Sequence, residues 1–269
     1  MKSRSKEEAM PILVLIVLCL LLRGCGLAKE VKIAHTRHDK WINDIDFLSG
    51  ELPKRHKNLF FSLDSADFYS EVEHMKEHVD EWTDEELMVA ISSLVASVGD
   101  GHTMVYPDFS VMYPIRLYWF KEGLYAIDAS EEYQEIINLK LATVNDHPVD
   151  EVLTAFEPMI SRDNEAGFKY YATSYMLLPW ALQGLGISEG SGVKLGFTDD
   201  RGLETSITVH PEAAQNTRYV ERFKEVAELP LYLRNPGLFY WYEYIPEHRT
   251  VYFQYNVCAN MQGRSFDEF

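Results

Sequence analysis

One change of hydrophobic period, at Gly99, limits what this chain can fold into more than any other feature. Before it, from Lys40 to Val98, apolar residues recur at helical spacing; after Gly101 they alternate or form short runs of β-branched and aromatic residues. Helices early and strands late place the chain in the α+β class. Trp41, Ile45 and Leu48 are spaced four and three, and Pro53 is expected to end that helix after Leu52. A second helix starts at Asp64 or Ser65 and lays Phe68, Val72, Met75, Val79 and Trp82 along one stripe. The third opens on Thr83-Asp84-Glu85-Glu86, a capping box, and repeats Leu87, Ile91, Leu94 and Val98 up to Gly99 as a left-handed C-cap. Residues 40–101 therefore read as a three-helix bundle.

Residues 102–215 read as a β-rich region. Runs 113–120 and 124–129 flank Lys121-Glu122-Gly123, a compact hairpin signal. Run 140–144 leads through Asn145-Asp146-His147-Pro148 into a helix from Val149. A single helix is expected over 164–183, with Pro179 near its end and Gly184 closing it. Runs 193–198 and 203–210 flank Asp199-Asp200-Arg201-Gly202 as another hairpin, and 239–245 pairs with 250–257 in a last one. Ser265, followed by Phe266-Asp267-Glu268-Phe269, looks like the N-cap and first turn of a helix, so the polypeptide is expected to continue past residue 269.

The amino terminus reads as an address. Lys2, Arg4 and Lys6 precede an uncharged apolar run over 11–22, the length of a signal-peptide core and too short to span a bilayer. Leu22-Arg23-Gly24-Cys25 resembles the bacterial lipoprotein processing site, although Arg23 departs from its pattern. The resemblance implies removal of residues 1–24, acylation of Cys25, a linker over 25–39 that includes His35 and His38, and an extracytoplasmic location on the cell membrane. Cys258, in a strand-like run, is expected to pack as a small hydrophobe, and three cysteines are too few for a disulfide framework or a structural zinc site. Forty-two acids against 25 Lys and Arg give a net charge of -17 with no basic stripe, which argues against nucleic acid as a partner.

Gly99-Asp100-Gly101-His102-Thr103 is the first candidate for chemistry. Two glycines at a helix-to-strand junction would project His102 at a fixed angle, with Asp100 or Thr103 placed to orient the ring; imidazoles as a class titrate near neutrality, which suits a general base. The bland alternative is a turn whose histidine satisfies a backbone carbonyl.

This stretch, together with Ile45-Asp46-Phe47-Leu48, Leu52-Pro53-Lys54-Arg55-His56, Tyr240-Trp241-Tyr242-Glu243-Tyr244 and Val251-Tyr252-Phe253-Gln254-Tyr255-Asn256, resembles bacterial peptidases of the C-terminal-processing and tricorn-like serine peptidase family. The resemblance implies a helical region, often a PDZ-like peptide-binding module, and then an α/β core that carries a serine nucleophile. It casts His102 as the prospective base and Asp100 and Thr103 as its support. Residues 216–269 would be the truncated start of the peptidase core. The nucleophile would lie beyond Ser265, since Ser92, Ser93 and Ser97 fall inside the third helix. The expected partner is a peptide or protein substrate, with no cofactor and no metal.

Residues 139–150 resemble the strand-turn-helix of PDZ-like modules, and equally an ordinary corner. Gly184-Leu185-Gly186-Ile187 looks like a carboxylate-binding loop only superficially and reads as a helix C-cap. His74-Met75-Lys76-Glu77-His78 has the H-x-x-E-H spacing of the inverted zinc peptidases, but helical geometry turns His74 and Glu77 toward solvent, away from any catalytic cleft. The competing reading of the whole chain is a non-catalytic surface lipoprotein that binds peptides or another ligand.

Overall fold

The computed structural model describes residues 36–220 and 229–269. The leader, Cys25 and His35 lie outside them.

Helix α1 (Arg37–Arg55) starts one turn before the hydrophobic period does, because Thr36 caps it: its Oγ1 accepts the Asp39 N–H at 3.0 Å, and the Asp39 carboxylate accepts the Thr36 N–H at 3.3 Å. His38 is thus a helical residue paired with Asp80 at 3.0 Å rather than part of a linker. Pro53 does not end α1 after Leu52. A proline in the last turn forfeits only one backbone bond, and the His56 N–H to Leu52 C=O bond at 2.9 Å closes the turn behind it.

Helix α2 (Ser65–Glu77) is capped by Asp64, which accepts the Ala66 N–H at 2.7 Å. It stops short of Val79 and Trp82, which sit on the turn leading to α3 (Asp84–Ala96). The capping box of α3 is complete: Glu86 N–H donates to Thr83 Oγ1 at 3.1 Å, and Thr83 N–H donates to Glu86 Oε2 at 2.7 Å. Ile45, Phe68, Val72, Met75, Val79, Leu87 and Leu94 form one core among these helices. Arg37 braces it from outside, donating to Asp84 at 2.7 Å, to the Trp82 carbonyl at 2.7 Å and to the Val79 carbonyl.

After the short strand β1 (Val111–Met112), strands β2 (Ile115–Phe120), β3 (Gly123–Ala129), β4 (Lys140–Val144), β6 (Val193–Thr198) and β7 (Glu204–Val209) form an antiparallel sheet in the order β2-β3-β4-β6-β7, with β5 (His147–Pro148) returning on β4. Asn145 and Asp146 both have positive φ, as a tight two-residue turn requires, and the Asn145 side chain bonds Ile187 O at 2.9 Å and the Lys194 N–H at 2.8 Å. Helices α4 (Val149–Phe156), α5 (Glu165–Tyr175) and α6 (Pro179–Gly184) contribute Phe156, Phe168 and Leu182 to a second core beneath the sheet, with Ile115, Leu141 and Phe197.

The single helix expected over 164–183 is two helices. Pro179 occupies the first turn of α6, and Leu178 before it is extended at φ -96, ψ 116. The break frees the Leu177 carbonyl to accept the Tyr113 N–H at 2.9 Å, so a strand end is secured by the interruption. Gly184 is not the left-handed cap; Gly186 is, at φ +68. Gly184 is where α6 meets α3, and a Cβ there would fall 2.3 Å from the Glu85 carbonyl oxygen and 2.7 Å from Val89 Cγ2.

Strand β8 (Glu212–Ala213) pairs with β1, and β9 (Tyr240–Ile245) pairs with β10 (Thr250–Tyr255) through a left-handed Arg249. Cys258 lies past the end of β10 and is exposed, contrary to the packed position expected. Ser265 opens a turn, its carbonyl accepting the Glu268 N–H at 3.3 Å. Its N–H donates to Glu268 Oε2 at 3.0 Å in a single turn that lays Phe266 and Phe269 edge-on against the buried Tyr240.

Overpacking a backbone contact typically costs about 1–3 kcal/mol. Gly184→Ala should therefore lower the thermal midpoint by several degrees in a circular-dichroism melt, while Gly190→Ala, which meets no neighbour within 4 Å, should leave it nearly unchanged.

Candidate active site

The loop that follows α3 is fixed from both sides. Gly99, at φ +74, turns the chain out of the helix, and the Asp100 carboxylate then gathers its surroundings. It accepts the His102 N–H at 2.9 Å, the Thr103 hydroxyl at 2.9 Å and His56 Nε2 at 3.3 Å. From the opposite side, Asp163 accepts the Gly101 N–H at 2.8 Å, the Ser161 hydroxyl donates to the Thr103 carbonyl at 2.7 Å, and Tyr175 OH donates to Val105 O at 3.0 Å. A Cβ on Gly101 would lie 2.6 Å from Asp163 Oδ2, so only glycine allows that approach.

Out of this fixed loop projects the His102 imidazole, 93% exposed, its Nδ1 3.7 Å from Asp100 Oδ1. That separation exceeds a hydrogen bond, yet it sets a carboxylate charge beside one ring nitrogen and leaves the other in solvent. The ring borders a cleft of about 330 Å³ lined by Met104, Tyr106, Arg162, Asn164, Tyr170 and Tyr171 among others. No serine or cysteine lines it among the described residues. The hydrogen bonds from the His102 N–H, then the Thr103 hydroxyl, then His56 draw the Asp100 carboxyl down to about 2.

The expected triplet Asp100, His102 and Thr103 is therefore brought together, with Asp100 at its hub. His56 and Asp163 had no assigned role in the sequence. They stand 44 and 62 residues from their partners, too far for local spacing to signal.

The expectation that no G-x-S-x-G elbow and no S-x-x-K pair lies upstream of Ser265 is corrected by two stretches of the sequence. Gly186-Ile187-Ser188-Glu189-Gly190 has the G-x-S-x-G spacing of a nucleophile elbow, but it joins a helix to a strand, and the buried Ser188 hydroxyl donates to Gly190 O at 3.0 Å. Ser191 stands three residues before Lys194, whose ammonium is bound to Asp146 at 2.7 Å. Neither serine lines the cleft beside His102. A wider hollow of about 890 Å³ lies over the outer side of β2 and β3, beside Arg116, Tyr118, Phe120 and Tyr232; its one carboxylate among the described residues, Asp128, is paired with Arg116 at 3.3 Å, and no serine, cysteine or histidine lines it there. The His74, Glu77 and His78 side chains do come together, on α2 and its C-cap, away from the His102 cleft. Among the described residues no helix is long and apolar enough to cross a membrane.

No family model and no curated protein matches the chain. Solved structures do. A mutant of CPAF, a chlamydial serine protease, matches over 68% of this chain at 16% identity and a TM-score of 0.50. Mature CPAF complexed with lactacystin matches over the same share at 19% identity and 0.48, and mature CPAF at 18% and 0.46. The chain shares a fold with part of CPAF. It spans about a third of those structures, 34% of the mutant and 35% of the other two. Likeness at this level supports a distant protease-like fold and does not assign a particular peptidase family.

The hydrogen bonds to Asp100 give a measurable signature. Its carboxyl carbon, followed by NMR, should titrate near 2, and Thr103→Val or His56→Ala should move it back toward the ordinary 3.8. A depressed carboxylate stabilises the fold above the unfolded-state value, and that stabilisation is lost as pH falls. The Asp100 contribution should accordingly be complete above about pH 4 and vanish as the pH approaches 2.

Proposed function

We propose that this chain is the histidine-bearing portion of a secreted, lipid-anchored serine-type peptidase, with its nucleophile on polypeptide beyond residue 269. One observation carries the reading: an exposed imidazole on a doubly anchored loop, beside an ionised carboxylate, at the rim of a cleft. The fold shared with part of a serine protease supports it at a coarse level.

In this reading the Asp100 charge favours the tautomer with the proton on His102 Nδ1, so that Nε2 takes the serine proton as Oγ attacks the scissile carbonyl. The same nitrogen returns that proton to the departing amine, leaving an acyl-serine; water then attacks, with its proton again passing through Nε2. Thr103 and His56 act by holding Asp100. They are positioning residues. The antiparallel sheet with the Asn145 turn fits a PDZ-like module that would bind a peptide by strand addition. Acylation of Cys25 would hold the enzyme at the outer face of the cell membrane.

The test uses the protein encoded by the full reading frame and a quenched-fluorescent peptide library. His102→Ala should lower kcat by about a thousandfold with little change in KM, and Asp100→Asn by a smaller factor. A fluorophosphonate label should mark one serine beyond residue 269 in the native protein. Peptide binding without turnover in the native protein, and no labelled serine, would overturn the catalytic reading in favour of a binding lipoprotein.

A further inference from the structure

The H-x-x-E-H segment is not accounted for by the peptidase reading. His74 and His78 are one helical turn apart and Glu77 lies between them on the same side, so one ligand atom from each falls within 4.8 Å of the other two. Tetrahedral coordination at roughly 2.0–2.2 Å needs ligand atoms about 3.3 Å apart, a closure that small rotations of partly exposed side chains supply.

The surroundings prepare these rings for a metal. His78 Nδ1 lies 2.8 Å from the His74 carbonyl oxygen, and because a carbonyl only accepts, the proton must be on Nδ1 and the Nε2 lone pair is free. A backbone carbonyl on the non-ligating nitrogen is the usual second support of a metal-bound imidazole. Trp82 stacks on the His78 ring at 5.0 Å and meets the His74 ring edge-on at 5.2 Å. Trp82 is itself held by Arg37 through its carbonyl. Lys76, the nearest cation in sequence, is turned away into Asp46 at 2.6 Å and Glu73 at 3.1 Å, so no ammonium competes for Glu77. Glu81 Oε2, 4.0 Å from His78 Nε2, is within reach as a fourth donor.

We propose that His74, Glu77 and His78 form a surface site for a borderline divalent transition metal, Zn2+ foremost. Two imidazoles and a carboxylate suit such ions and not Ca2+ or Mg2+, which take all-oxygen shells. The site is structural. It lies away from the His102 cleft, and its donors clamp the last turn of α2 to its C-cap residue, His78. The inference is independent of the peptidase reading.

The experiment is a calorimetric titration of the chelator-treated full chain with Zn2+. One equivalent should bind, raising the thermal midpoint, and His74→Gln or His78→Gln should weaken it at least about tenfold, with Glu77→Gln weaker in effect. Where a variant fails to fold, the native protein still decides: Zn2+ should shift the His74 and His78 ring resonances and leave His102 unmoved. Binding that is equally tight in the His74→Gln/His78→Gln double variant, or Zn2+ shifts confined to other histidines, would overturn the proposal.

Discussion

The seam along α3 supports everything else in this structure. One side of the helix gives Leu87 and Leu94 to the core of the helical layer; the other presents Val89 to the core under the sheet, where Gly184 lets α6 approach the Glu85 carbonyl. Close-packed interiors transmit displacement, so a shift of α3 against α6 would move both cores. The same helix ends at Gly99, and the loop after it is pinned to the sheet layer by Asp163, Ser161 and Tyr175. The position of His102 is thus set by the packing of two layers rather than by its own contacts, which are few for a side chain 93% exposed.

Asp100 links that packing to chemistry. A carboxylate that accepts a backbone N–H, a hydroxyl and an imidazole is held in its charged form over the whole neutral range. Such a charge can favour one tautomer of a neighbouring ring without sharing its proton, and in the peptidase reading this is what it supplies. In that reading the base awaits its partner: no serine, threonine or cysteine lines the cleft among the described residues, and the buried Ser161 spends its hydroxyl on the loop backbone.

The sequence by itself determined the local structure wherever one side chain answers a neighbour a few residues away. The capping box at Thr83, the cap at Asp64, the left-handed Gly99 and the hairpin turns are of this kind, because the donor and acceptor are placed by helix and turn geometry alone. It also placed Asp100 and Thr103 beside His102. It misjudged Pro53 and Pro179, where a turn or a strand end elsewhere decided whether a helix continued. Only the tertiary structure brought His56 and Asp163 to the loop, gave Gly184 its role in packing rather than capping, and exposed Cys258. The physical reason is range: hydrogen bonds within a turn follow from spacing along the chain, whereas contacts between layers depend on how two cores settle against each other, which no local pattern encodes.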